Sequence, residues 1–188
     1  TSAVIDAKAA ADYLAGLEAV DADNLGVMGW SQGGTDALLA AEAHPDTFKA
    51  VVTWAGALDL TGDALFAGTT FEDAQAQAEE TGSYTMTFDW RDSLDLGARW
   101  FQEVADTDMV EVVANIKAPI LAINGQTDTT VTPDNAEKIV EASTNEASEV
   151  LLVENCDHTF NVFSGDFTAL YETVDATTAF FQAQLIPA

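Results

Sequence analysis

Residues 25 to 34 read Leu25-Gly26-Val27-Met28-Gly29-Trp30-Ser31-Gln32-Gly33-Gly34, a short apolar run that breaks into Gly-x-Ser-x-Gly and passes into Ala-rich sequence. A run of strand length followed at once by helical sequence predicts a strand over 25–30, a tight turn at Ser31 and a helix over about 33–44. A serine hydroxyl is a poor nucleophile unless the chain lifts it out where a base can reach it. A strained strand-to-helix turn does this, and the pattern reads as a nucleophile elbow. Gly29 and Gly33 are expected to make room for that turn, because a Cβ at either position would crowd the neighbouring strand and helix.

Working outward, Val4, Ala7, Ala11, Leu14 and Leu17 fall at helical spacing, with Ser2 available as N-cap, and predict a helix over 3–18. His44-Pro45-Asp46 ends the helix after the elbow. Apolar runs at 50–54, 119–124 and 149–153 are strand candidates, and helical patterns at about 133–143 and 167–184 follow the last two. Continuously apolar strands alternating with helices predict an α/β fold whose mostly parallel sheet is covered on its faces. Residues 59–118 interrupt that rhythm and carry aromatics of their own, including Phe66, Phe71, Tyr84, Phe88, Trp90, Trp100 and Phe101. The organisation expected is therefore a core of 1–58 and 119–188 with an inserted lid at 59–118, since long insertions with their own structure often form lids or binding loops. Aromatics that merely fill a small core of their own are the plainer alternative.

The 188 residues, 48% of them hydrophobic, suffice for a sizeable core. Thirty-two acidic residues against six Lys and Arg give a formal charge of −26. Such a surface repels phosphate backbones and anionic membranes, so neither nucleic acid nor a membrane is an expected partner. It could reflect life at high salt, but an acidic proteome or plain solubility is the simpler reading. No basic leader or long apolar run stands in the sequence, so a soluble, cytoplasmic chain is expected, with secretion open should a leader have been removed. Cys156 is the single cysteine and excludes an internal disulfide.

Ser31 needs a base, and the two histidines are His44 and His158. His44 reads as a polar helix end. His158 follows the last apolar strand, and in a parallel sheet the carboxyl ends of the strands are where active sites gather. The third member of a triad should be a carboxylate on the loop after the penultimate strand, and Asp128 in Gly125-Gln126-Thr127-Asp128 fits that slot. Asp157 is the weaker alternative, because adjacent residues rarely point their side chains at each other. The backbone N–H of Gln32, just after the nucleophile, is the proposed oxyanion donor. No metal or organic cofactor is required. A second donor normally comes from a loop after an earlier strand, and none precedes the elbow here. The strand at 25–30 is accordingly expected to form an open apolar edge. Its neighbours would be supplied by another chain, lost by cleavage or replaced by self-association.

Ser31, Asp128 and His158 in that order, on strand-helix punctuation, resemble the α/β-hydrolase family. Gly29-Trp30-Ser31-Gln32-Gly33-Gly34, His44-Pro45-Asp46, Leu60-Thr61-Gly62-Asp63-Ala64-Leu65, Gly125 through Pro133 and Asp157-His158-Thr159-Phe160 are similar to bacterial cinnamoyl and feruloyl esterases. The resemblance implies a partial α/β-hydrolase fold with a lid and the hydrolysis of small hydroxycinnamoyl or other aryl esters. It also implies a substrate contact from Asp63, and Trp100 and Phe101 stand where the family has a lid tyrosine. A serine peptidase with a similar elbow is the alternative enzyme, and a catalytically silent hydrolase-like binding module the alternative of another class.

Overall fold

The computed structural model describes residues 2–62, 66, 68–88 and 91–186. It divides into two compact units, one made of residues 1–58 and 109–188 and the other of residues 59–108.

The larger unit is built on a four-stranded parallel sheet. Its strands β1 (Leu25–Trp30), β2 (Phe48–Trp54), β5 (Ile120–Gly125) and β6 (Glu149–Val153) are hydrogen-bonded in that order. Helices cover both faces. On one face α2 (Gln32–Ala43), α5 (Met109–Asn115) and α6 (Asp134–Ala142) pack with α1 (Ser2–Ala15) around a core that includes Leu38, Phe48, Val51, Val113, Ile120 and Ile139. On the other lies α7 (Thr168–Leu185), against all four strands. β5 is buried at all six positions, as its unbroken apolar run requires of a central strand.

β1 is an edge strand and its burial alternates. Leu25 and Val27 pack toward the α2 core, whereas Gly26, Met28 and Trp30 turn to the face of α7. An open apolar groove of ≈ 250 Å³ runs between α1 and this edge, lined by Ala7, Ala11, Leu14, Leu25, Val27 and Phe48 among others.

Helix α1 ends at Ala15, three residues earlier than its apolar spacing predicts; Gly16 follows, and Leu17 lies beyond the helix, part-exposed. The smaller unit ends at Asp108 and not at residue 118. Met109, Val113 and Ile116 recur at helical spacing and bury their side chains in the α2 core, which draws α5 into the larger unit.

The smaller unit holds α3 (Phe71–Thr81), the antiparallel pair β3 (Ser83–Met86) and β4 (Leu94–Gly97), and α4 (Ala98–Ala105). Thr70 caps α3 by accepting from the Asp73 N–H, and Gly82 ends it at φ 99°. Phe66, Phe71, Leu96 and Phe101 form its core, joined at the edges by Tyr84 and Trp100.

Candidate active site

Ser31 sits between β1 and α2 with φ 56° and ψ −126°, a strained combination for a residue with a side chain. The strain is held by hydrogen bonds on both sides: Ser31 N–H donates to the Trp54 carbonyl at 2.8 Å, and the Ser31 carbonyl accepts from Gly34 N–H at 2.9 Å. Gly29 is obligatory here, because a Cβ would collide with the backbone of Gly33. Gly33 itself has open space beside it, contrary to the sequence expectation. The second tight position is Gly34, where a Cβ would stand 2.9 Å from the Gly56 Cα. Two glycines in the first turn of α2 cost about 1 kcal/mol each against alanine, and the close approach of β1, α2 and the loop after β2 explains one of them.

Three loops at the carboxyl ends of β1, β5 and β6 bring Ser31, Asp128 and His158 together. His158 Nε2 lies 3.0 Å from Ser31 Oγ, and His158 Nδ1 lies 2.8 Å from Asp128 Oδ2. Asp128 is 3% and His158 6% exposed. The pattern of partners assigns the tautomer: Nδ1–H donates to the carboxylate, leaving Nε2 to accept from the serine hydroxyl. The other Asp128 oxygen accepts the N–H groups of Thr130 (2.8 Å) and Val131 (2.9 Å). A buried charge is tolerable only when paired and hydrogen-bonded in this way.

Sequence reasoning did not single out Asn124. This wholly buried side chain donates to the Val131 carbonyl at 3.0 Å and to Asp128 Oδ2 at 3.3 Å, while its own Oδ1 meets no hydrogen-bond partner among the described residues. Its signal was a polar residue closing an otherwise apolar central strand, just before the Asp128 loop.

The remaining candidates take other places. His44 caps the far end of α2, a helix about 18 Å long. Asp157 makes no hydrogen bond to the imidazole among the described residues. Its carboxylate accepts from the N–H and hydroxyl of Thr159 and the N–H of Asn161, all within 2.9 Å, and so shapes its own loop. Burial pushes its carboxyl up, but these donors outweigh burial and hold it below the ordinary range. Cys156 is buried beside it. Desolvation, with Asp157, Asp128 and Glu172 nearby, pushes the thiol up to about 12. Its carbonyl accepts from Thr127 N–H (3.0 Å) and Thr127 Oγ (2.9 Å), which ties the Asp128 loop to the His158 loop. Gln32 is the first residue of α2, so its N–H has no acceptor within the helix and points out at the positive end of the helix dipole.

In the smaller unit, Phe101 is fully buried against Phe66, Phe71, Tyr84 and Trp100. A ring so enclosed offers no face to a substrate, and it serves this unit's own core. Trp100 is half-buried at the rim of that cluster. Asp63 lies outside the described residues.

A family model described as the prolyl oligopeptidase family matches residues 1–186. The chain belongs to this family. A comparison with curated proteins found no match. Among solved structures, this family member is similar to Est1E from Butyrivibrio proteoclasticus in a structure with ferulic acid bound. The TM-score is 0.76 at 19% identity, over 98% of this chain and 68% of that one. A monoacylglycerol lipase from Paleococcus ferrophilus gives 0.74 at 16% identity, over 97% and 74%. A puromycin-hydrolyzing peptidase from Mycobacterium tuberculosis gives 0.70 at 23% identity, over 99% of this chain but 26% of that one. The fold is that of the α/β-hydrolases, and family and fold together place this member among the serine hydrolases. Among the described residues, no helix is long and apolar enough to cross a membrane.

Proposed function

We propose that the chain is a serine carboxylic-ester hydrolase acting through an acyl-enzyme on Ser31. The observation that carries the reading is the continuous relay from Ser31 Oγ through His158 to Asp128, at 3.0 and 2.8 Å, with the serine on a strained turn. Ser31 Oγ attacks the ester carbonyl as His158 Nε2 takes its proton. Asp128 steadies the imidazolium, and the same proton then goes to the leaving alcohol. Water activated by His158 releases the acid and restores Ser31. The Gln32 N–H, at the dipole end of α2, donates to the oxyanion, a contact worth about 10²- to 10³-fold in rate.

For substrate class we propose small aryl or hydroxycinnamoyl esters. The sequence resemblance supports this, as does the similarity in fold to a protein solved with ferulic acid. The family match favours one second reading, a serine peptidase, since an amide needs the same relay and a better protonated leaving group. Rates on methyl ferulate, p-nitrophenyl acetate and an aminoacyl p-nitroanilide, each with Ser31→Ala as control, separate the two. Faster turnover of both esters with loss in the mutant supports the esterase. A preference for the anilide overturns it in favour of the peptidase.

A further inference from the structure

We propose that Trp30 is a positioning residue for His158, its indole latching the histidine loop to the residue next to the nucleophile. The inference rests on the triad reading above and adds a part to it. Trp30 closes β1, and its Nε1–H crosses to the His158 carbonyl at 3.0 Å. Its ring lies against the imidazole, with centroids 5.5 Å apart and planes tilted by 38°. The residue next to the nucleophile in sequence therefore also holds the backbone that carries the base.

The rest of the loop is anchored at its flanks. The Cys156 carbonyl is held by Thr127, the Asp157 carboxylate caps Thr159 and Asn161, and Phe160 packs on Trp54 at 5.2 Å. Trp54 pairs in register with Trp30 at the end of the next strand, and its own Nε1–H is held by Thr177. At His158 itself, the donor on the main-chain carbonyl is the Trp30 indole. The loop carries Asn155, Phe160 and Asn161 at positive φ, so small rotations there would swing the imidazole.

Stability and positioning separate at this site. Trp30 is 39% exposed, so a smaller ring uncovers little new apolar surface, and water can take over the donor to the carbonyl. Water does not fix the carbonyl to within the roughly 0.5 Å that a catalytic contact tolerates, and a 1 Å misplacement can cost about 10²-fold in rate. A merely structural tryptophan would lower thermal stability and the fraction of active protein instead.

The test uses Trp30→Phe and a chain carrying benzothienylalanine at position 30, which keeps the bicyclic shape and lacks the N–H. The ¹H–¹⁵N signal of the Trp30 indole, assigned by its loss in Trp30→Phe, is expected to exchange with water more slowly than that of free tryptophan. This arm needs no activity, so it decides the latch geometry even if Ser31 proves inert and the triad reading fails. On p-nitrophenyl acetate, normalised by active-site titration, both variants are expected to lose about tenfold in kcat, with KM within about twofold and an unchanged Tm. A freely exchanging indole N–H, an unchanged kcat, or a loss that merely follows Tm and active fraction would overturn the proposal.

Discussion

His158 Nδ1 stands 2.8 Å from Asp128 Oδ2, and the two side chains are almost closed to solvent. The two residues, 30 apart in sequence, join the loops after β5 and β6 and leave one nitrogen of the imidazole facing Ser31. With the carboxylate fixed by Thr130 and Val131, the tautomer of the base is set before substrate arrives.

Asp128→Asn tests that assignment. The amide keeps the size of the side chain but presents an N–H2 donor or a neutral oxygen to Nδ1, so the imidazole loses its reason to hold the active tautomer. We expect kcat/KM to fall by about 10³- to 10⁴-fold, with the far-ultraviolet circular dichroism unchanged. A loss under tenfold would show that Asp128 does not orient the base.

Asn124→Ala should cost more than a surface change. It removes donors from the Val131 carbonyl and Asp128 Oδ2, both in a buried setting. An unpaired buried group costs about 1–3 kcal/mol, which urea unfolding would read as a lower midpoint at constant slope. A midpoint equal to that of the unaltered chain would mean the orphaned Asn124 Oδ1 already offsets the gain.

Acid should loosen the histidine loop. Asp157 has its folded-state pKa held below the ordinary 3.8 by donors from Asn161 and Thr159 against the opposing effect of burial. A depressed folded pKa adds stability that is present above the unfolded value and lost as pH falls through the folded one. The difference in Tm between the unaltered chain and Asp157→Asn should therefore be constant near neutrality and shrink below pH 3.8. A gap independent of pH would contradict the assignment.

Salt should stabilise the protein. A formal charge of −26 makes the folded chain repel itself, and the Debye length falls from about 10 Å at 0.1 M to about 3 Å at 1 M. The surface pairs Lys8–Asp12, Arg99–Glu103 and Lys138–Asp134 are exposed i,i+4 contacts of small value, so screening them loses little. Tm measured in KCl from 0.1 to 1 M should rise. A fall would mean that attractive pairs outweigh the net repulsion.

Much of this was legible because the signals were local. The elbow, the parallel strands and the acid and histidine after the last two strands all follow from apolar runs and their punctuation. What escaped was tertiary. The spacing of Met109, Val113 and Ile116 says helix, but not which core it joins. Gly-x-Ser-x-Gly suggests symmetrical roles for its glycines, yet the close approaches fall at Gly29 and Gly34, because α2 turns its second glycine toward Gly56. Phe101 looked like a ring for a ligand and is packed among its own neighbours. Asn124 and the Trp30 indole act across 4 and 128 residues of sequence, through contacts that only the folded sheet creates.

The most direct test of the central claim is covalent. The chain would be treated with a fluorophosphonate and the adduct located by peptide mapping, with His158→Ala in parallel. One adduct is expected, on Ser31, formed in the unaltered chain and slowed by at least about 10³-fold without the histidine. No adduct in folded protein, or an adduct elsewhere, would contradict it.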